Sequence, residues 1–482
     1  MQINYLCKHM KGILEGLRPF QKAELLVMML LAFAIPFYWL AAQYGEILLF
    51  TCAILKFVFD QKCKLNERQV KFAWAYVVFA MTWLIYLVGM IYTENQSFGW
   101  AQVSKKLGFL VFPVIFVISD MSYMTNNRFK AIGNALVLGC MLFFLMNFVH
   151  AVYDVIFNGD TSSRFFDDSL MKLYYVHHSY LSMYLGLGMM FCFMSFFEDD
   201  RRNVKIFNAL AYAILVVFTI LIRSRAGMIC MVMLFVLQWI WLTFIMKKKK
   251  IGWMMGGVFV LAVVGAIIAF PQSVSRITST ISSIKTEHSS DHRLVQFKGY
   301  KSVLEKNWLW GVGTGDRCDE IQKSYREYKE GVVALIGPEM AKELDHKTQC
   351  DYYEPSESMR VEMCEKAVKY GVDPDVVNAN LVEYLYINYA IDREINAHNM
   401  FFEVIISVGI IGLLLLLAYF IIPLVLWIRM KRFGMLYFSF LLIIGFNMLF
   451  ESVFEGQMGI IFFCFFNALL FYMSFVTKSV KE

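Results

Sequence analysis

Apolar runs of about 20 residues recur along this chain from residue 24 to residue 477. Short polar junctions separate them, with one long exception. In hydrocarbon every backbone N–H and C=O must find a partner inside the segment, so each run has to become a helix. With 59% of residues hydrophobic and only 17% charged, the chain has too little charge to clothe a soluble fold of this size. The expected fold is an all-α polytopic membrane protein. The net charge of +6 is modest and matters through its placement, so nucleic acid is not implied.

By length the runs predict about twelve transmembrane helices, near 24–42, 44–60, 72–92, 107–119, 131–153, 178–197, 206–222, 226–246, 251–270, 399–428, 434–450 and 457–477. Residues 1–270 then hold helices one to nine, and residues 399–482 the last three. Between them, 271–398 forms one large, mainly helical loop domain. Lys and Arg gather at every second junction: Lys62, Lys64, Arg68 and Lys71; Arg128 and Lys130; Arg201, Arg202 and Lys205; Lys247–Lys250; Arg429, Lys431 and Arg432; Lys478 and Lys481. The positive-inside bias therefore predicts cytoplasmic termini and a periplasmic loop domain. The N-terminus, MQINYLCKHMKGILEGLRPFQK, reads as a basic lead-in rather than a cleaved signal peptide.

Five cations break the bias. Lys105, Lys106, Arg164, Arg223 and Arg225 fall on the outer side, at or near helix ends. Lys and Arg at such ends often snorkel to the interface without further purpose. Arg225 is the exception, because Arg223-Ser224-Arg225 occupies a tight outer turn where an arginine can fork onto phosphate oxygens.

Within the loop domain, Leu294, Phe297, Tyr300, Val303 and Leu304 have helical spacing, and that helix should stop near Asn307. Gly337-Pro338 opens a further short helix, and Asp373-Pro374 caps another that reaches about Ile391. The stretch 325–356 is charged and irregular, with no predicted element. Gly311-Val-Gly313-Thr-Gly315-Asp316 follows a helix rather than a strand, so a nucleotide loop fails its context; tight backbone packing is the expectation. His288 and His292 lack further ligands, and no metal or cofactor is predicted. Seven of ten cysteines lie in or beside apolar runs as packing residues; Cys318, Cys350 and Cys364 share the loop domain, where one pair could bridge. Gly186, Gly188, Gly409 and Gly412 are expected to allow close helix packing.

The segment AHNMFFEVIISVGIIGLLLLL passes from polar to apolar within a few residues. That puts His398 at the N-terminus of a membrane helix with Asn399 as a cap. A neutral imidazole there can take a proton from a sugar hydroxyl, or can serve only to anchor the helix. Glu451 and Glu455 bracket the next outer turn and His177 opens the sixth run; each can orient His398 or bind acceptor hydroxyls, or be an ordinary loop residue.

Three blocks carry a resemblance: IRSRAGMICMVMLFVLQWIW (222–241), DHRLVQFKGYKSVLEKNWLWGVGTGD (291–316) and HNMFFEVIISVGIIGLLLLL (398–417). In order and spacing they resemble the bacterial O-antigen ligase superfamily, which also holds O-antigen polymerases and protein O-oligosaccharyltransferases. The resemblance implies metal-independent, inverting transfer of a glycan from undecaprenyl diphosphate to an acceptor hydroxyl at the periplasmic face of the inner membrane. By position, Arg225 and Arg293 would hold the diphosphate, and His398 would activate the acceptor, which is lipid A–core in a ligase. Arg223, Lys105, Lys106 and Arg164 are further diphosphate candidates on charge alone. Residues 317–396 match no pattern of the family. The alternatives are a polymerase, whose acceptor is another lipid-linked glycan, and a transporter of lipid-linked sugars.

Overall fold

The computed structural model describes residues 12–257, 292–347, 355–393, 397–431 and 434–477. Over these the chain is an all-α polytopic membrane protein, and nine helices are long and apolar enough to cross a membrane. In chain order the helices are α1 (Pro19–Ala34), α2 (Trp39–Leu55), α3 (Glu67–Val88), α4 (Gln96–Lys105), α5 (Gly108–Ile118), α6 (Asn126–Phe157), α7 (His178–Glu198), α8 (Arg202–Leu221) and α9 (Arg225–Ile240). There follow α10 (His292–Asn307), α11 (Arg317–Ile336), α12 (Pro338–Lys347), α13 (Glu357–Lys369), α14 (Pro374–Asp392), α15 (Met400–Met430), α16 (Met435–Met448) and α17 (Gln457–Phe471). The run expected at 251–270 lies largely outside the described residues.

Two predicted boundaries move. The first break falls at residues 35–38 and not at Gln43, because Pro36 has no N–H with which to continue α1. The short run expected at 107–119 is the second half of a longer span, Gln96–Ile118, built from α4 and α5.

The chain divides into two compact units. The first comprises residues 1–85, 101–249 and 414–482. Helix α7 lies in its interior, packed by α6, α8, α9 and α16. Gly186 and Gly188 allow this: an added Cβ would stand 3.2 Å from Ile443 Cδ1 or 3.0 Å from Leu215 Cδ1. Aromatic rings fill the space around α17, with Phe79 stacked on Tyr419 at 4.5 Å and Phe109 edge-on to Phe454 at 4.9 Å. A buried charge sits where α1, α2 and α5 meet. Glu24 pairs with Lys56 and accepts from Ser119 Oγ and, at 2.7 Å, from Tyr123 Oη, so neither ion is left uncompensated.

The second unit comprises residues 86–100 and 250–413. Here α10, α11, α13 and α14 pack around Tyr300, Ile321, Tyr325, Ile336, Met363, Leu381 and Leu385. Helix α10 stops at Asn307 as expected, and α12 and α14 start where the sequence signals them, the last with Asp373 Oδ1 accepting from Asp375 N. Two helices were not anticipated. Ile321, Tyr325, Val332 and Ile336 put an apolar face on the charged α11, and Ser356 caps α13 by accepting from Met359 N.

The glycine loop 311–315 lies against a break in α15. Val408 (φ −135°) and Gly409 (φ 69°) leave helical geometry, freeing backbone groups that the loop takes up. Val312 N donates to Ile406 O at 2.8 Å, Gly313 N to Ser407 O at 3.1 Å, and Ile410 N to Leu309 O at 3.2 Å. Thr314 Oγ1 donates to Tyr86 O at 2.6 Å, and Asp316 accepts from the amides of Glu94 and Asn95. Backbone thus meets backbone, which only glycine permits: a Cβ on Gly311 would stand 2.6 Å from Ser407.

Gly409→Ala places a Cβ into the Leu309 carbonyl at a left-handed φ. It is expected to cost roughly 1–3 kcal/mol or more, read as a lower midpoint in SDS-driven unfolding of the detergent-solubilised protein. Gly331→Ala, with nothing within 4 Å of its Cβ, should leave the midpoint unchanged or slightly raise it.

Candidate functional site

His398 sits at a strained turn that its neighbours hold from both sides. Its φ of 44° is left-handed, a region a β-substituted residue enters only when its surroundings dictate it. On the helix side Asn399 is the cap: its Oδ1 accepts from Phe401 N at 3.0 Å and Phe402 N at 3.2 Å. On the other side Ala397 N donates to Glu403 Oε1 at 2.7 Å. The second oxygen of Glu403 lies 2.9 Å from Arg317 Nε, and both side chains of this pair are buried. Glu403 N donates in turn to Asn399 O at 3.0 Å, while Phe402 packs on Phe297 and Tyr300 with centroids 5.6 Å apart. The ring of His398 is left half-buried. Arg293 lies on α10 in the same unit, its side chain outside the described residues.

The remaining candidates belong to the first unit, and contacts bring many of them to one end of it. Gly227, in the first turn of α9, would place a Cβ 2.7 Å from Ser182 in α7. One turn earlier in α7, Ser179 Oγ donates to Glu451 Oε2 at 3.3 Å, and His177 Nδ1 lies 3.8 Å from the same oxygen. His177 stacks on His178 at 4.2 Å, and His178 Nδ1 is 3.6 Å from Asp168, whose carboxyl it holds below the usual range. Glu455, at the far end of the turn from Glu451, takes a 3.0 Å bond from Lys106.

The five exceptional cations separate into two kinds. Lys106 is buried and bonded to Glu455 Oε1 and Gln102 Oε1, each at 3.0 Å. Arg164 is buried too, its Nε 2.7 Å from Asp154 Oδ2 and its Nη2 2.8 Å from His150 Nδ1. Arg223, exposed, lies over the Phe166 ring at 3.9 Å and 3.5 Å from Asp167. The charges of these three are already balanced by carboxylates. Lys105, half-buried, and Arg225, exposed, make no ion pair among the described residues. Arg225 is also the first residue of α9, whose cap Ser224 accepts from Gly227 N at 3.2 Å. A cation at the positive end of a helix is an unfavourable placement in the empty protein and a favourable one beside an anion.

Two residues that shape the site were not anticipated. Glu403 is a carboxylate inside an apolar run, which itself calls for a partner. The partner, Arg317, is 86 positions earlier (403 − 317), and no sequence spacing reveals it. In the loop domain Cys318 Sγ lies 3.7 Å from Arg317 Nη2 and Cys364 Sγ 3.9 Å from the Pro374 carbonyl, and Cys350, like His288, lies outside the described residues.

Among known proteins, residues 210–335 match the Wzy_C family model, described as O-antigen ligase. The match includes Arg225 and Arg293 and continues past Arg317, into a stretch where the sequence had offered no family pattern. No curated protein matches the chain.

Lys106→Met removes one partner of a buried ion pair and is expected to cost about 3–5 kcal/mol of stability. Adding Glu455→Leu should restore most of that loss in the same unfolding assay. An unchanged midpoint in the single variant would contradict the pairing.

Proposed function

On the premise that this chain belongs to the O-antigen ligase superfamily, we propose that it moves a glycan from undecaprenyl diphosphate to an acceptor hydroxyl, with His398 as the base. The observation that carries this reading is the left-handed turn at His398, pinned by Asn399 and Glu403 at the start of a membrane helix. Strain of that kind persists where the position of a side chain matters.

In the proposed step the acceptor oxygen attacks the anomeric carbon from the face opposite the diphosphate, and its proton passes to the imidazole. The C–O bond to the new sugar forms as the old C–O–P linkage breaks, so the configuration inverts. The diphosphate departs with the bonding electrons, and its growing charge needs cations that carry no carboxylate of their own. Arg225 meets that need and, by resemblance, Arg293 joins it; Lys105 is the next candidate, and Lys106, Arg164 and Arg223 come after it because carboxylates already balance them. His177 and Glu451 are assigned to acceptor hydroxyls, while Glu455 is already committed to Lys106. The alternation of basic junctions supports cytoplasmic termini in the bacterial inner membrane and chemistry at the periplasmic face.

A ligase acting on lipid A–core is the first reading, and a polymerase with a lipid-linked glycan acceptor is the alternative. A transporter is less well supported. Broken helices occur in transporters, but the groups freed at Val408–Gly409 are consumed by the glycine loop.

His398→Ala is expected to lower transfer by at least ~100-fold while the protein still inserts; full activity would remove the base. Arg225→Lys, whose ammonium cannot fork onto two oxygens, should raise the donor KM by roughly tenfold, and a chelator should leave the wild-type rate unchanged. Lipopolysaccharide from a deletion strain separates the acceptors. Loss of all attached O-chain marks a ligase, and a single attached repeat marks a polymerase.

A further inference from the structure

We infer that Glu403 is a positioning residue for His398, acting through Ala397 and Arg317. This rests on the reading of His398 as the base and adds the device that aims it. A carboxylate has two oxygens, and here each has its own task. Oε1 accepts the Ala397 amide at 2.7 Å, and Oε2 lies 2.9 Å from Arg317 Nε. The Glu403 side chain is fully buried and that of Arg317 is 4% exposed, so water cannot stand in for either partner. The amide of the residue before His398 is therefore tied to a fixed carboxylate. The residue on its other side is tied by the Asn399 cap and by the bond from Glu403 N to Asn399 O. With the residues on both sides held, His398 has little freedom to leave φ 44°.

Arg317 is the first residue of α11, so the ion pair also fastens the helical part of the loop domain to the His398 turn. Glutamine keeps an acceptor for the Ala397 amide but loses the charge that pairs with Arg317, so Glu403→Gln should fall between wild type and full loss. Aspartate is a methylene too short to reach both.

The test uses the full-length protein in detergent with a lipid-linked diphosphate donor and lipid A–core. Glu403→Leu combined with Arg317→Met removes both charges together, which avoids stranding a buried arginine. The expected result is a kcat lowered about 10–100-fold by misplacement of the base, a donor KM within about twofold of wild type, and faster hydrogen exchange at the Ala397 amide. Glu403→Gln should give a smaller fall in kcat. Normal kcat in the double variant, with His398→Ala inactive, would overturn the positioning role and leave the base intact. A lower kcat with unchanged Ala397 exchange would also overturn it, since the loss would then be general loosening. Full turnover in His398→Ala would remove the base and the positioning role together.

Discussion

A break in a membrane helix is tolerated only where something takes up the backbone groups it frees, and this constraint governs the second unit. Helix α15 leaves helical geometry at Val408–Gly409, and the strand of glycines at 311–315 supplies the missing partners. The exchange fixes three things at once. It seats the end of α10, through Leu309 O and Ile410 N; it holds residues 86–95, through Thr314 and Asp316; and it sets the first turns of α15, which carry Asn399, Glu403 and the turn at His398. The glycines that tempt a nucleotide reading are needed because a Cβ would collide with backbone at 311 and 315 and with Thr93 Oγ1 at 313.

The first unit uses charge differently. Three of its buried cations are neutralised locally: Lys56 by Glu24, Lys106 by Glu455, Arg164 by Asp154. In a low-dielectric interior an unpaired ion is expensive, so such pairs are a condition of folding there rather than a mark of ligand binding. A charge that opposes the orientation bias signals function only if nothing in the protein already answers it, and among the described residues that leaves Arg225 and Lys105.

How much of this was legible in the sequence follows from what each feature depends on. Spans could be read because hydropathy is local, and so could the starts of α12 and α14, whose Gly, Pro and Asp signals sit at the element itself. The Asn399 cap was legible for the same reason. Helices α11 and α13 were not, because abundant charge masked an apolar face that is recognisable only against its partners. The kink in α15 was hidden too: Gly409 reads as a small residue for close helix packing until the loop that fills the break is known. The ion pairs lay furthest from view. Glu403 announces that it needs a cation, yet Arg317 is identified only by the fold.

In the proposed reaction Arg225 binds the donor diphosphate and His398 acts as the base. Photo-crosslinking tests this most directly, with a benzophenone side chain placed at position 225 and, separately, at position 398, and a radiolabelled undecaprenyl diphosphate glycan as the probe. The account predicts labelling at both positions, competed away by unlabelled donor. Competable labelling at one position with none at the other would contradict it.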